Sequence, residues 1–488
     1  MKKIILFVSV LFGMVSCSKE EPFLDISSGL EASIASVEAV GGTFEFDIAT
    51  DEEWQIVTDG QDWYSFSQMS GTGAATVTVT VDRQYETKSR TANFSIETSS
   101  LTKTLTITQQ GPSVPDDPTE TTVSVRMLGG DKRVSVPEGY SYSVSIPDEA
   151  AEWLSVKEQN ETDIVLTVAR NTTADFRTAE VVVKASEGDE LMTVTVSQSW
   201  RNAEPGEFLI EEIFFTGNVI ESTGKVDSKN PNQYYKITNN TDEVLYADGL
   251  AIMESKINSV LTYTYPVDIR PTHTGVQTVY LIPGDGDDVP VEPHGSLLIA
   301  NNAQNYLTAN PNLGMDLSVA DFEWYDESTN SVKDVDNPEV PNLDRWYTYS
   351  ASFTYLHDRG FTGHAIAFFP PTLTVDEFLE NYKWEGTYIN HTAVGDYEMN
   401  ISKAYKIPNS WVLDAVNLSV EEVFYTLSFD TSLDAGWTHC GTIDRDPNRY
   451  GKSVRRKADA NGRLVDTNNS TADFTPDATP SVPIGSQN

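Results

Sequence analysis

Small polar and apolar residues alternate along the chain in short runs. Thr43-Phe44-Glu45-Phe46-Asp47-Ile48 and Thr76-Val77-Thr78-Val79-Thr80-Val81 place Val, Ile or Phe at every second position, and residues 101–109 alternate in the same way with Leu101, Leu105 and Ile107. A period of two is that of a strand with one buried face, and these residue types favour the extended state. Gly41-Gly42 and Gly71-Thr72-Gly73 punctuate the runs as turns. Many short strands at this spacing predict a β-sandwich over 29–111. Gly111-Pro112-Ser113-Val114-Pro115-Asp116-Asp117-Pro118 can neither continue a ladder nor bury a core, so 112–120 reads as a semi-extended linker.

The alternation resumes over 121–200 in Tyr142-Ser143-Val144-Ser145-Ile146, Ile164-Val165-Leu166-Thr167-Val168, 180–184 and 192–198, which predicts a second sandwich. The two blocks share an order. An early tryptophan (Trp63; Trp153) precedes a Thr/Val strand, Arg-Thr-Ala (Arg90-Thr91-Ala92; Arg177-Thr178-Ala179) opens another, and the last strand ends in glutamine (Gln109; Gln198). A repeat of about ninety residues fits tandem domains rather than a solenoid unit. The pattern resembles the BACON family, the Bacteroidetes-associated carbohydrate-binding, often N-terminal domain. Trp54, Trp63-Tyr64, Gly71-Thr72-Gly73 and Thr108-Gln109-Gln110 carry the resemblance in the first copy. Glu152-Trp153-Leu154-Ser155-Val156 and Ala169-Arg170-Asn171-Thr172-Thr173 carry it in the second, which lacks the Gly-rich turn. The resemblance implies Ig-like sandwiches that bind sugar or act as spacers.

From Glu207 the segments become longer and more aromatic. Phe208-Leu209-Ile210-Glu211-Glu212-Ile213, Tyr235-Lys236-Ile237-Thr238-Asn239-Asn240-Thr241, Asp248-Gly249-Leu250, Val412-Leu413-Asp414-Ala415-Val416 and Lys452-Ser453-Val454-Arg455-Arg456 follow one another. Asp466-Thr467-Asn468-Asn469-Ser470-Thr471-Ala472-Asp473-Phe474 closes the series. That order resembles the lamin-tail domain, and is closest to an uncharacterised family of Bacteroidetes surface lipoproteins on the same plan. It implies a third Ig-like sandwich over 207–488, with an insertion at about 301–410, and implies no activity. Inside the insertion, Thr374-Val375-Asp376-Glu377 has the spacing of a capping box and predicts a helix to about Tyr382. The fold class expected is therefore all-β, three tandem Ig-like sandwiches with one short helix.

The first residues break the pattern. Lys2-Lys3, an apolar run over 4–15 and Ser16 before Cys17 make a secretory signal over 1–16, too short to span a bilayer. Met14-Val15-Ser16-Cys17 resembles a bacterial lipobox, which implies lipidation of Cys17 and a tether over 17–28. Glu20-Glu21 resembles the signal that sends Bacteroidetes lipoproteins to the outer face of the outer membrane. The formal charge of −40, more negative by two without Lys2 and Lys3, repels phosphate backbones and argues against a nucleic-acid partner. Cys17 and Cys440 are the two cysteines, so with Cys17 lipidated no intrachain disulfide remains and Cys440 reads as a buried small residue.

Motif chemistry is sparse. The sequence contains no G-x-S-x-G, P-loop, H-E-x-x-H or zinc spacing. Asp285, Asp287 and Asp288 offer oxygen ligands for calcium, yet no Glu stands at the twelfth loop position and Asp-Gly is ordinary turn sequence. The histidines are scattered, with His357 and His364 flanking one loop and His391 further on. Among 73 acidic residues some pair will lie at glycosidase spacing by chance, so a hydrolase is a minority reading. The aromatic run Trp346-Tyr347-Thr348-Tyr349 to Tyr355 is more suggestive. On a strand Tyr347, Tyr349 and Tyr355 would share one face and Trp346 the other. Such rings offer a stacking platform for sugars, or else they form a core. Trp63 and Trp153 carry the same two readings.

The function expected is thus non-catalytic: a lipid-anchored, outward-facing outer-membrane protein that binds an extracellular ligand, a glycan by resemblance. Its role would be accessory to nutrient uptake beside an outer-membrane transporter. The alternative is a scaffold or adhesin in which the BACON-like modules are spacers.

Overall fold

The computed structural model describes residues 21–26, 36–226, 232–326, 334–350, 356 and 359–485. Cys17 and Tyr355 lie outside them. The chain is almost entirely β and divides into two compact units. One comprises residues 1–123, 131–168 and 179–196, the other residues 124–130, 169–178 and 197–488.

The first unit opens with a sandwich of two antiparallel four-stranded sheets. One runs Asp25–Ile26, Gly42–Ala49, Ala75–Val81, Tyr64–Phe66, the other Ser70–Thr72, Glu53–Thr58, Arg90–Thr98, Thr102–Gln109. The alternating residues meet between them: Phe46, Ile48, Val77, Val79, Phe94, Ile96 and Ile107 are all buried. The Gly-rich turn has a packing reason. A Cβ at Gly71 would lie 2.5 Å from the Trp54 ring, whose Nε1–H donates to the Gly73 carbonyl at 3.0 Å. In the second copy Ile164, Leu166, Val181, Val183, Val194 and Val196 form the equivalent buried set.

The repeated Arg and Gln prove to be one device used twice. Arg90 Nε donates to Gln109 Oε1 at 2.9 Å, and the Gln109 amide donates to the carbonyls of Glu38, Ala39 and Asp82. Arg177 Nε donates to Gln198 Oε1 at 2.8 Å, and Gln198 to the carbonyls of Arg126, Met127 and Ala169. Each glutamine is fully buried, so it satisfies loop carbonyls that would otherwise cost about 1–3 kcal/mol apiece.

In the second unit two larger sheets face each other. One runs Phe322–Glu323, Ser296–Ala300, Tyr234–Asn239, Phe208–Phe214, Ser453–Arg456, Phe474–Ala478. The other runs Asp344–Thr348, His273–Leu281, Leu250–Asn258, Thr362–Phe368, Val412–Val416. Phe208, Ile210, Tyr235, Ile237, Ile252, Ile366 and Val416 fill the space between them. Both outer faces are also covered. Phe214, Tyr234, Met315 and Leu317 pack outside the first sheet. Helix Val375–Asn381 lays Phe378 over the second, against Met253, Val279 and Ala367. The helix starts as its spacing predicts: Glu377 N–H donates to Thr374 Oγ1 at 3.3 Å and Thr374 N–H to Glu377 Oε2 at 2.9 Å.

The closing sequence motif is the lock of this sandwich. Arg456 is almost wholly buried and its Nη2 lies 2.6 Å from Asp414 Oδ2. Its Nη1 lies 3.3 Å from Asp466 Oδ1 and 3.8 Å from Asp473 Oδ2, and Phe474 lies under the guanidinium. Asp414 Oδ2 also accepts the Ile210 N–H at 2.7 Å, while Arg456 Nε donates to the Ile210 carbonyl at 2.9 Å. Asp473 accepts from Thr467, and Ser470 donates to the buried Asp434.

Candidate functional site

A cleft of about 600 Å³ lies wholly within the second unit, in the size range of small-molecule sites. Its apolar side is Trp346, Phe369, Leu281 and Trp200. Trp346 is half-buried and meets Phe369 edge to face, centroids 5.3 Å apart. Tyr347 packs on Tyr405 at 4.5 Å and belongs to the same apolar cluster. Strict alternation would place these two neighbours on opposite faces. The pairing register instead slips where Val279 faces Tyr347 and Tyr280 faces Arg345, a bulge that turns both rings to one side.

The polar side comes from loops. Asn202 is 2% exposed; its Nδ2 donates to the Gly286 carbonyl at 2.7 Å, and its Oδ1 has no hydrogen-bond partner among the described residues. A buried acceptor left unmatched costs about 1–3 kcal/mol, so a donor brought by a ligand would gain by meeting it. Arg170 donates to the Asp285 carbonyl and its Nη1 lies 3.7 Å from Asp287. Arg201 is held by Glu204 at 2.6 Å, 5.3 Å from the Trp200 ring.

The Asp-Gly loop forms a wall of this cleft. Asp248 lies beneath it and accepts the N–H groups of Asp288 and Val289, both at 2.9 Å. Gly284, at φ +136, is required there because a Cβ would lie 2.0 Å from Asp248 Oδ1. Asp288 accepts the Asp285 N–H at 2.8 Å. Asp285 and Asp288 thus close a turn, while Asp287 pairs with Arg170. No group of three or more His, Cys, Asp or Glu arranged to hold a metal occurs among the described residues. The acids lining the cleft are Asp248 and Asp285, and both Asp248 oxygens are engaged by backbone.

The other expected residues fall elsewhere. Trp63 is buried in the first sandwich, with the Arg90 guanidinium 4.4 Å from its ring, so it packs. Trp153 is half-buried beside a 3-10 turn, and Tyr349 is half-buried with its N–H on the Gln277 carbonyl. His364 is buried beside Tyr235, whereas His391 is paired with Asp396 on an outer hairpin. Asn202 and Trp200 escaped sequence reasoning. They follow directly on Gln198, and only the fold shows that the strand end leads into a cleft.

Comparison with known proteins comes to three findings. Residues 52–110 and 143–199 match the BACON family, described as "Putative binding domain, N-terminal", and residues 292–481 match "Protein of unknown function (DUF4876)". No curated protein matches the chain. Among solved structures, a DUF4876 family protein from Bacteroides thetaiotaomicron is 20% identical and covers 76% of this chain and 99% of its own, with a TM-score of 0.46. A Bacteroides ovatus GH5 xyloglucanase in complex with a XXXG heptasaccharide is 19% identical over 22% of this chain and 27% of its own, with a TM-score of 0.17. Among the described residues no helix is long and apolar enough to cross a membrane. The motif order read from the sequence and the family matches agree: this chain carries two BACON segments followed by a DUF4876 domain.

Proposed function

We propose that this protein binds an extracellular glycan without turning it over, in the cleft beside Trp346. The observation that carries the reading is the pairing of aromatic ring faces with the unmatched, buried Asn202 Oδ1 in one space of about 600 Å³. Sugars present C–H faces to rings and O–H donors to such acceptors. The BACON segments add support from their family's name for binding. A hydrolase would need two free carboxylates across the cleft, and Asp248 is committed to backbone donors.

A glycan-array screen of residues 18–488 is the test. Trp346→Ala is expected to weaken the best ligand about tenfold, the scale of one lost stacking contact. Asn202→Ala should weaken it as well, with the thermal midpoint followed in parallel. Absence of any array ligand, or affinity unchanged in both variants, would overturn the reading.

Anchoring at the outer membrane through Cys17 is part of the proposal, supported by Met14-Val15-Ser16-Cys17 and the acids that follow. In a bacterial host that processes lipoproteins, Cys17→Ala should move the protein from the detergent phase to the aqueous phase and abolish palmitate labelling. Retention in the detergent phase would disprove the anchor.

A further inference from the structure

A smaller pocket of about 200 Å³ in the same unit is lined by Lys256, Asn258, Tyr263, Tyr265, Gln277 and Tyr388 among others. Its aromatic wall is built, not loose. Tyr263 and Tyr388 lie 4.5 Å apart, and Tyr265 stacks on Trp384 at 5.4 Å. Trp384 is itself seated on Gly275, where a Cβ would stand 2.5 Å from the ring. The short strand Tyr263–Thr264 is paired to strand Thr387–Thr392, Tyr263 against Asn390 and Thr264 against Ile389, so that Tyr388 comes next in line on the partner strand.

Lys256 makes the pocket chemically specific. Its side chain is half-buried and has neither a hydrogen bond nor an ion pair among the described residues. The chain holds 73 acids against 33 Lys and Arg, so a lysine left alone there does not reflect a shortage of acids. Charges removed from water are ordinarily paired. Glu254, whose charge attracts Lys256 and partly offsets the burial, is fully buried and engaged by Thr362 Oγ1 at 2.8 Å and Gln277 Nε2 at 3.2 Å. Lys403 adds a second positive charge nearby; burial first, and then that charge, push the Lys256 amine below its usual pKa. The pocket is too small for an oligosaccharide.

We propose that this pocket binds one sugar ring bearing a carboxylate, a uronate-type residue, with the carboxylate on Lys256 and the ring face on Tyr388 and Tyr263. The proposal rests on the glycan reading for the sugar ring but uses a different pocket from the one beside Trp346. The acidity of the whole chain opposes an anion at long range. At physiological salt that repulsion is screened beyond about 8 Å, whereas the Lys256 contact is not.

The experiment is calorimetric titration of residues 18–488 with sodium glucuronate and galacturonate at about 0.15 M salt. Glucose, galactose and acetate serve as comparisons. One uronate is expected to bind at least tenfold tighter than its neutral sugar and than acetate. Lys256→Met should erase that preference, Lys256→Arg should retain most of it, and Trp346→Ala should leave it unchanged. Equal binding of uronate and neutral sugar, equal binding of uronate and acetate, no uronate binding, or a preference that survives Lys256→Met would each overturn the proposal. Because Trp346→Ala tests the larger cleft separately, either site can fail without the other.

Discussion

Arg456→Met is expected to cost the C-terminal sandwich about 3–5 kcal/mol, the scale seen when one partner of a buried ion pair is removed. Arg456 is the cation among three aspartates, and with it gone Asp414, Asp466 and Asp473 face one another with no countercharge. The Ile210 and Val465 carbonyls lose their donor as well. Domains of this kind are stable by about 5–15 kcal/mol, so the loss is a large fraction of the whole. Urea denaturation of the purified protein should show the midpoint of one transition collapse or the transition vanish. Adding Asp414→Leu to Arg456→Met should recover part of the loss, because an apolar pair in place of a buried ion pair is often neutral or better. An unfolding free energy within about 0.5 kcal/mol of the parent would mean that Arg456 is not the keystone its burial implies.

The same cluster marks what sequence could and could not convey. The closing motif was legible as the most specific stretch of the C-terminal half, but its residues lie on separate strands and loops. Only the fold brings Asp414, Arg456, Asp466 and Asp473 into one dry contact. In the first unit the alternation of Phe46 and Ile48, or Val77 and Val79, mapped directly onto buried positions, since those strands have one wet face. Strand Thr362–Phe368, within the stretch read as an insertion, is buried at all seven positions in the middle of a covered sheet. Period two disappears when both faces are dry, and the run then looks merely apolar. The helix was legible because a capping box is local. Composition singles out Trp346, but strict alternation puts it on the wrong face, because a bulge leaves no mark on periodicity. Asn202 carries a signal that is not sequential at all: an acceptor with no donor among the described residues.

Acidification from pH 7.5 to 5 is expected to stabilise the C-terminal sandwich by about 1 kcal/mol, against the habit of acid weakening proteins. Asp414 is fully buried, and desolvation, with Asp466 adding to it, raises its carboxyl pKa from 3.8 to about 6 despite the Arg456 contact. One guanidinium shared among three carboxylates does not neutralise them all. The folded state therefore holds a proton between pH 3.8 and about 6 that the unfolded chain has released, so stability grows as pH falls through that window and is lost as it rises. Burial raises Asp434, Glu323 and Asp334 in the same direction. Below about pH 4 the trend reverses. The hydrogen-bonded carboxyls of Asp268 and Asp446 sit below their usual pKa, and the stability they supply is lost as they take up protons. Urea midpoints at pH 7.5 and 5 decide the matter, read on the transition that Arg456→Met displaces. Asp414→Asn should flatten the difference. A midpoint that falls on acidification would show that Arg456 keeps Asp414 ionised, with its pKa below that of the unfolded chain.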